Sequence, residues 1–570
     1  MKTTINARLL ALMSVCGLCL TSCASTKGEP ADTVLINGRV YTVNPARPWA
    51  EAIAIRAGKI VALGSTQDVV RLSGKGTEKI DLAGQFVMPG LIDSHVHPLL
   101  GGLKFTGFFI HPDLSTEGVV EKLAAYAAEH TDFPVIVGQG FGYQVDANRK
   151  YIDRVISDRP VFVKSFGGHS LWLNSAALSL AHIDRHTSAP ADGVIVRDDK
   201  TGEPTGLLLD SAMELAEPFL KEEQPGFEEK YAIVREVLGE MSSYGITGAQ
   251  DAMVLDGDAL AVYQMMADKG ELPLRIAAAI LYSSPNFGTK NQSEVAIELL
   301  SGAAAHSSQY VNPRFIKIFL DGVPPAVSLL DPPAAIAAAT VEPYYDEPAL
   351  NALVADMDRR GIGVVAHAHG DKAIRRFLNA VELARRSNPD GPVHHIAHCS
   401  MISPDDMPRL QKLRTVCEMS PYLWFPSATA DAAAGLLGEA LMRRVYPAGM
   451  VTRAGGIVAA GSDWAYDNLD LNPFPYLEAF VTRRSPFGKH DGVLGPDQAL
   501  TLPQAIAVFT INGATAMGSQ AVTGSIETGK AADLVVLDQN LFEIEPDRIS
   551  ETRVVMTLMD GRIRFRRSLD

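Results

Sequence analysis

Eight short apolar runs, most of which end in a polar residue and lead into a stretch with helical periodicity, constrain the fold more than any other feature. They read FVMPGLIDSHVH, GITGAQDA, LRIAAAI, FIKIFLDG, GVVAHAHGD, HHIAHC, TVCEMS and GIVAAGSDW. Strands that alternate with helices predict a parallel sheet, because each parallel connection needs a crossover. Eight such units predict an α/β fold, a closed (β/α)8 TIM barrel whose chemistry lies at the carboxyl ends of the strands.

The two ends of the chain have a different character from the middle. Short alternating runs broken by Asn-Gly and Ala-Gly-Lys turns occur near the N-terminus, and similar runs recur near the C-terminus. We predict that residues 33–85 and 520–570 pair into one small β-sandwich domain, which brackets the barrel at residues 86–519. The segment 99–244, between strands one and two, is longer than a barrel loop needs and predicts an inserted subdomain over the active site.

The N-terminus is typical of a targeting segment. Two basic residues precede the apolar run 9–20, which is too short to span a bilayer but suits a signal peptide. The run ends in LTSC, which resembles the lipobox of bacterial lipoproteins and implies acylation of Cys23. We therefore expect a signal peptide at 1–22 and a tether at 23–32. An ordinary secretory peptide is the alternative. The residue after Cys23 is Ala24 rather than aspartate. By resemblance to other lipoproteins, this favours the outer membrane of a bacterial envelope, with the protein facing the periplasm.

Composition narrows the range of partners. The chain has 570 residues, of which 47% are hydrophobic and 21% charged, so it can bury a large core. The formal net charge of -15 argues against nucleic acid as a partner, because binding to phosphates needs clustered lysine and arginine. Cys399 and Cys417, the cysteines within the folded body, are interpreted as small core residues.

Histidines at the strand ends indicate a metal centre. His95 and His97 are two residues apart on a strand, so they project to the same face and can hold one ion. Lys317 lies inside an apolar run, where a bare ammonium group would be costly unless it is neutralised or paired. Further candidate ligands lie at the ends of other runs: His367, His398 and Asp463, with His369 two residues after His367. Any one of them could be a packed or surface residue, but the set at successive strand ends favours chemistry.

Together these motifs resemble the amidohydrolase superfamily, in the family 3 branch that includes N-substituted formamide deformylases. The similarity covers nearly all of the mature chain and includes PGLIDSHVH, FGGHSLWLNSAAL, GEPTGLLLD, GITGAQDA, KIFLDG, HAHGDKAI, HIAHC, GSDW and GSIETGKAADLVVLD. It implies that His95 and His97 bind one divalent metal ion, and that His367 and His398 bind a second. It also implies that Lys317, carboxylated by carbon dioxide, bridges the two ions.

The same resemblance gives Asp463 two roles, as a ligand of the first ion and as the proton carrier. The implied reaction is hydrolysis of a non-peptide carbon–nitrogen bond of an amide by a metal-bridging hydroxide, because bound metal lowers the pKa of water toward ~7. Asp463 would take the proton and return it to the leaving nitrogen. Imidazole, carboxylate and carbamate ligands suit zinc, although other divalent ions compete for such sites.

Four residues are assigned to substrate binding. His169 and Trp172 follow a Gly-Gly turn in the predicted insert, where a lid would use them as a hydrogen-bond donor and an aromatic wall, local packing being the alternative. Asp251 ends the second apolar run. His369 stands where the family usually has an aliphatic residue. Ser420 is a second departure, since the family often has glutamine there.

Alternative functions stay open. Within enzymes, a deaminase or a cyclic-amide hydrolase could use the same site, and a non-catalytic surface lipoprotein could keep the barrel only to bind substrate. The complete ligand set favours a hydrolase. The expected partners are a small-molecule amide and, through Cys23, a membrane; a homo-oligomer is left open.

The lipobox generates a first prediction. Cys23→Ser should release the protein from the membrane fraction, because a lipobox without its thiol cannot be acylated. Fractionation of cells that express the wild type and the variant would show this. A variant that still sediments with membranes would mean that another contact holds the protein there.

Overall fold

The computed structural model describes residues 29–568 apart from 106, 143–144, 191–192, 221–224, 286, 290, 324–325, 335, 338–339, 421–423, 466–468 and 489. Cys23 and the predicted signal peptide lie outside the described residues. Within the described part of the chain, no helix combines the length and the apolar character needed to cross a bilayer.

Strands from both chain ends form two packed sheets. They are β1 (Ala31–Ile36), β2 (Arg39–Tyr41), β3 (Trp49–Ala50), β4 (Ala52–Arg56), β5 (Lys59–Gly64), β6 (Ser73–Asp81), β7 (Phe86–Pro89), β22 (Leu534–Leu537), β23 (Val554–Met559) and β24 (Arg562–Arg566). One sheet has the order β5-β4-β1-β6 and the other β24-β23-β22-β7-β2-β3. Leu35 and Ile53 of the first sheet share an apolar core with Val87 and Leu558 of the second.

The remaining strands form two further sheets. The barrel contains β8 (Leu91–Val96), β15 (Ile246–Val254), β16 (Arg275–Ser283), β17 (Val311–Phe319), β18 (Gly363–Ala368), β19 (His394–His398), β20 (Thr415–Met419) and β21 (Ile457–Ala460). The insert contains β9 (Phe108–Phe109), β10 (Ile136–Phe141), β11 (Val161–Ser165), β12 (Ser170–Leu173), β13 (Gly193–Arg197) and β14 (Pro204–Asp210). Each barrel strand overlaps one of the eight apolar runs, and all neighbours that pair are parallel. The predicted α/β barrel is confirmed.

Helices occur in the sandwich, in the insert and around the barrel, where they connect successive strands. They are α1 (Thr66–Val70), α2 (Pro98–Lys104), α3 (Thr116–Glu129), α4 (Arg149–Asp153), α5 (Ser175–Leu180), α6 (Phe227–Ser243), α7 (Gly257–Asp268), α8 (Gln292–Gly302), α9 (Glu347–Arg359), α10 (Asp371–Ser387), α11 (Met407–Leu413), α12 (Ala428–Leu437), α13 (Glu439–Met442), α14 (Ala448–Arg453), α15 (Phe474–Thr482), α16 (Leu502–Val508) and α17 (Ile511–Ala516). Helix α10 shows why they pack: Ile374, Phe377 and Val381 recur at helical spacing and are fully buried.

The first apolar run contains two strands rather than one. Residues 86–89 form β7, which pairs with β22 and β2 in the sandwich, so the barrel begins after the predicted boundary at residue 86. The chain passes from sandwich to barrel at Gly90. A Cβ there would lie 2.2 Å from Oγ1 of Thr247, so only glycine allows this approach.

The insert is also shorter than the predicted range 99–244. Its six strands span 108–210 in the order β13-β14-β12-β11-β10-β9. Helix α6 packs instead against α2, and its buried Val234 and Leu238 belong to the main barrel core. The C-terminal part of the predicted segment is therefore a barrel helix.

The first and last barrel strands meet through specific bonds. Among the described residues they share no ladder, but Ser94 Oγ donates to the carbonyl of Ala460 at 2.8 Å. The amide of Ser462 donates to Oδ1 of Asp93 at 3.0 Å, and the amide of Asp463 donates to the carbonyl of His95 at 2.7 Å. This seam between β8 and β21 brings two predicted ligands together.

The sandwich docks at the amino-terminal end of the barrel strands. Arg275, the first residue of β16, donates through Nε to Oδ2 of Asp533 at 2.7 Å and through a terminal nitrogen to Asp560 at 3.3 Å. Both Arg275 and Asp533 are buried. The opposite, carboxyl end of the barrel therefore remains available for a site.

Candidate metal centre

The predicted ligands converge at the carboxyl end of the barrel. All six are buried: His95, His97, Lys317, His367, His398 and Asp463. They line one pocket with an empty volume of about 510 Å³, together with His169 and His369. The parallel strands explain this arrangement, because their carboxyl ends meet at one rim of the barrel.

Asp463 lies at the centre of the first group of side chains. Its Oδ1 atom is 3.3 Å from Nε2 of His97 and 3.7 Å from Nε2 of His95. Its Oδ2 atom is 3.9 Å from Nδ1 of His398. The Nζ atom of Lys317 is 3.4 Å from Nε2 of His95. Side chains from strands one, four, six and eight thus surround one small volume.

Two of these residues have strained backbone conformations. His398 has a φ of 71° and Asp463 a φ of 52°, backbone angles that residues other than glycine rarely adopt. The amide of His398 is held by Oε2 of Glu418 at 3.2 Å, and that of Asp463 by the carbonyl of His95. Gly461 lets strand eight come this close, since a Cβ there would lie 2.3 Å from the amide nitrogen of His95.

Burial sets the ionisation of the centre. It lowers the pKa of His97 to about 3 and the pKa of Lys317 to about 8. It raises the pKa of Asp463 to about 7 and that of Glu418 to about 8, in the second case with a further contribution from the charge of Asp463. The imidazoles are therefore neutral, with lone pairs available as ligands. A cation among them would bring these carboxyl pKa values down again.

A second group of histidines lies beside the first. Ligand atoms of His367, His369 and His398 are all within 4.8 Å of one another. Nε2 of His367, Nε2 of His369 and Nδ1 of His398 are buried and have no hydrogen-bond partner among the described residues. Burying a polar nitrogen without a partner costs free energy, and a divalent metal ion bound by these three nitrogens would remove that cost. The donor set of the pocket is thus suited to divalent metal.

Glu418, on strand seven, is a functional residue that sequence reasoning missed. Its Oε2 atom accepts a hydrogen bond from Nδ1 of His95 at 2.7 Å, and the same atom accepts the amide of His398. A carboxylate on the far nitrogen of a ligating histidine fixes the tautomer and orients the ring. The available indication was an acidic residue inside the apolar run TVCEMS, the same kind of pattern that drew attention to Lys317.

The pocket has a polar lid residue and an apolar wall. His169, at the turn between β11 and β12, reaches the pocket from the insert, and its Nδ1 atom is 3.0 Å from Oδ1 of Asp210. The apolar wall comes from side chains that sequence reasoning did not identify: Met253, Phe287, Phe319 and Val323.

Two of the predicted substrate-binding residues do not reach this pocket. Trp172 is fully buried in the core of the insert, where its ring packs edge-on against Phe141 at 5.9 Å, so local packing replaces the predicted aromatic wall. Asp251 is buried and accepts a hydrogen bond from the hydroxyl of Tyr263 at 2.8 Å. Neither is among the described residues that line the pocket. Ser420 lies next to the centre, with Oγ 3.4 Å from Oε1 of Glu418.

Comparison with known proteins identifies the family. A profile described as amidohydrolase family matches residues 78–565, most of the chain. The chain belongs to the amidohydrolase family. It is therefore a hydrolase that acts on carbon–nitrogen bonds other than peptide bonds, as the sequence predicted.

Relatives and solved structures of this amidohydrolase extend over nearly the whole chain. Protein LONG AFTER FAR-RED 3 of Arabidopsis thaliana is 28% identical, over 95% of this chain and 93% of its own. N-substituted formamide deformylase of Arthrobacter pascens is 26% identical, over 94% and 99%. An uncharacterised metal-dependent hydrolase from Pyrococcus horikoshii OT3 aligns with a TM-score of 0.69 at 21% identity, over 90% and 99%, which shows the shared fold.

The position of Glu418 generates a second prediction. Glu418→Gln should lower the affinity for divalent metal by ~10- to 100-fold, the usual cost of losing the carboxylate partner of a ligating histidine. Competition with a chelator, followed by metal analysis, would measure it. Glu478→Gln is a matched control, because Glu478 is also a buried carboxylate with a main-chain partner, the amide of Ser550. Equal affinities in both variants would contradict the orienting role.

Proposed function

We propose that the protein is a metal-dependent amidohydrolase that cleaves the non-peptide amide bond of a small molecule. The observation that carries this proposal is the buried carboxylate of Asp463, which lies within 4 Å of imidazole nitrogens from strands one and six at the floor of the pocket. A module that only binds substrate has no need for a carboxylate among metal-directed histidines.

The side chains divide into two metal positions. His95, His97 and Asp463 would hold one ion and His367 and His398 a second, and zinc best suits this donor set. Ligand atoms of His95, His398 and Asp463 lie within 4.8 Å of one another, and Oδ1 of Asp463 is 3.3 Å from Nε2 of His97. Divalent ions held there would polarise the amide carbonyl and lower the pKa of a bound water.

Asp463 would carry the proton. As water adds to the amide carbon, the carboxylate accepts the proton that the water loses. It then returns this proton to the nitrogen, so that the carbon–nitrogen bond breaks and an amine leaves beside a carboxylic acid. The position of Asp463 supports this role because its carboxylate lies beside the nitrogens of His95 and His97 that would hold the ion.

Lys317 would act as a carbamate. Its amine nitrogen adds to carbon dioxide, a nitrogen–carbon bond forms and a proton is lost, which turns a buried cation into an anionic oxygen ligand. Complete burial and the position of Nζ at 3.4 Å from Nε2 of His95 support this, because an ammonium group there would compete with metal for the same nitrogen.

The pocket walls indicate the kind of substrate. Phe319 stacks on the ring of His367 at 4.6 Å and lies near Phe287, so one side of the pocket is apolar. His169 also lines the pocket, and Asp210 orients its ring. We infer a substrate with an apolar substituent and a polar group that His169 recognises.

At the N-terminal end of the chain, we propose that Cys23 anchors the enzyme by lipid in a bacterial envelope, facing the periplasm.

The division between chemistry and recognition generates a third prediction. Asp463→Asn should lower the turnover number for every substrate by ~100- to 10,000-fold, the scale for a lost acid–base group. His169→Ala should raise the Michaelis constant more than it lowers turnover, as expected for lost uniform binding. Purified enzyme would be assayed against N-acyl amino acids, formamides, cyclic imides and amino-heterocycles.

Two controls make this assay decisive. Metal content must be equal in all variants, since Asp463 is also a proposed ligand. His186→Ala removes an exposed histidine from the same insert and should leave both constants unchanged. Wild-type turnover in metal-replete Asp463→Asn would refute the proton carrier, and selective activity on amino-heterocycles would identify a deaminase instead.

The carbamate generates a fourth prediction. Lys317→Ala should abolish activity, and a short carboxylic acid added to the variant should partly restore it by standing in for the carbamate. The same acid should leave the wild type unchanged. Rates with and without the acid would be compared at fixed metal, and an active variant in the absence of acid would reduce Lys317 to a structural role.

A further inference from the structure

His369 lies where a metal ligand would lie, although the sequence alone places it among the substrate-binding residues. It follows strand five two residues after His367, so both side chains emerge on one face. Its ring is fully buried and lies nearly parallel to that of His398, with centroids 4.7 Å apart. His367, His369 and His398, from two neighbouring strands, thus have ligand atoms within 4.8 Å of one another.

Hydrogen bonds fix His369 on all sides except one. Its Nδ1 atom is 2.7 Å from Oγ of Ser400, and its amide donates to Oδ1 of the buried Asp321 at 2.9 Å. The amide of Gly370 donates to the other oxygen of Asp321 at 2.8 Å. Only Nε2 is left without a partner among the described residues, and it points into the group formed with His367 and His398.

The hydrogen bond between Nδ1 of His369 and Ser400 is related to the tautomer of the ring, and therefore to whether Nε2 carries a proton or a lone pair. When Nδ1 carries the proton and donates it to Ser400, Nε2 presents a lone pair, as a metal ligand must. A substrate donor would need the opposite tautomer, with the proton on Nε2. Nε2 of His367 and Nδ1 of His398 are also buried without a hydrogen-bond partner among the described residues, and a cation bound beside these nitrogens would satisfy all three.

We propose that His367, His369 and His398 form a three-imidazole metal position that does not depend on Lys317. Three protein ligands are the usual complement of a catalytic zinc ion, which keeps its fourth place for water or substrate. This inference rests on the proposed metal-dependent function and changes the ligand set of its second ion. It makes His369 a ligand, and it separates this position from the one at His95, His97 and Asp463.

The test measures metal binding in the absence of substrate. Metal-free protein would be titrated with Co²⁺, whose visible absorption reports its ligands, and dialysed against Zn²⁺ to obtain stoichiometry. We expect Lys317→Ala to retain one ion per chain. Adding His369→Gln to Lys317→Ala should weaken that ion by more than the ~10- to 100-fold that loss of an outer-shell partner costs, and should change the Co²⁺ spectrum.

A matched substitution and a milder one complete the design. His395→Gln changes a buried histidine of the same barrel, whose Nε2 contacts the carbonyl of Ala516 at 2.8 Å, and should leave metal binding unchanged. If circular dichroism shows that His369→Gln is unfolded, Ser400→Ala removes the partner of Nδ1 without altering the imidazole. It should weaken the same ion by ~10- to 100-fold.

Three results would overturn this assignment. One is an unchanged Co²⁺ spectrum and affinity when folded protein carries His369→Gln, and another is unchanged affinity in Ser400→Ala where that variant is needed. The third is loss of both ions in Lys317→Ala alone. Failure of the proposed function is distinguishable from these. A protein that binds Co²⁺ as expected but hydrolyses none of the amides would refute the activity and leave the three-imidazole position intact.

Discussion

The seam between the first and last barrel strands is the constraint on which the centre depends. Closing the barrel requires the backbone of strand eight to lie against that of strand one, and Gly461 allows this because it has no Cβ. The same contact gives the amide of Asp463 its partner, the carbonyl of His95. Closure of the fold and placement of the central carboxylate are therefore one event, and a shift of strand eight would move Asp463 away from His97.

The charges of the centre explain why it suits metal. Five imidazoles, the carboxylate of Asp463 and the amine of Lys317 are buried where they line one pocket, and the buried carboxylate of Glu418 lies behind His95. Burial opposes every charged form, as the raised pKa values of both carboxylates and the lowered pKa of the lysine show. Cations would stabilise both carboxylates and satisfy the imidazole lone pairs at once.

The insert adds a recognition residue to a centre that the barrel supplies. The barrel supplies the residues of the centre, whereas His169 reaches the pocket from the sheet at residues 108–210. Asp210, with a φ of 49°, is held in a strained conformation where it orients that imidazole. Loops and insertions at the carboxyl end of a barrel can change without disturbing the strands. Substrate preference can therefore vary in the insert while the centre stays constant.

The sequence by itself determined the barrel strands and the side chains at their ends. Apolar runs and two-residue spacing are local patterns, so they suffice to place His95 with His97, and His367 with His369, on one face of a strand. The sequence also placed Lys317 in an apolar strand. The sequence did not show that the first apolar run contains two strands. The chain passes from sandwich to barrel at Gly90, and the close approach of Thr247 at that point is a tertiary contact.

Tertiary structure alone decided which distant groups meet. Glu418 lies 323 positions from His95 in the chain, and only the order of strands in the sheet brings its carboxylate within 2.7 Å of Nδ1. Trp172 follows the same Gly-Gly turn as His169, yet the alternation of a strand turns its ring into the core of the insert. Ser400 contacts Nδ1 of His369, whereas Nε2 has no hydrogen-bond partner among the described residues, and both facts depend on the packing of neighbouring strands. Contacts of this kind depend on packing between elements, which no local pattern encodes.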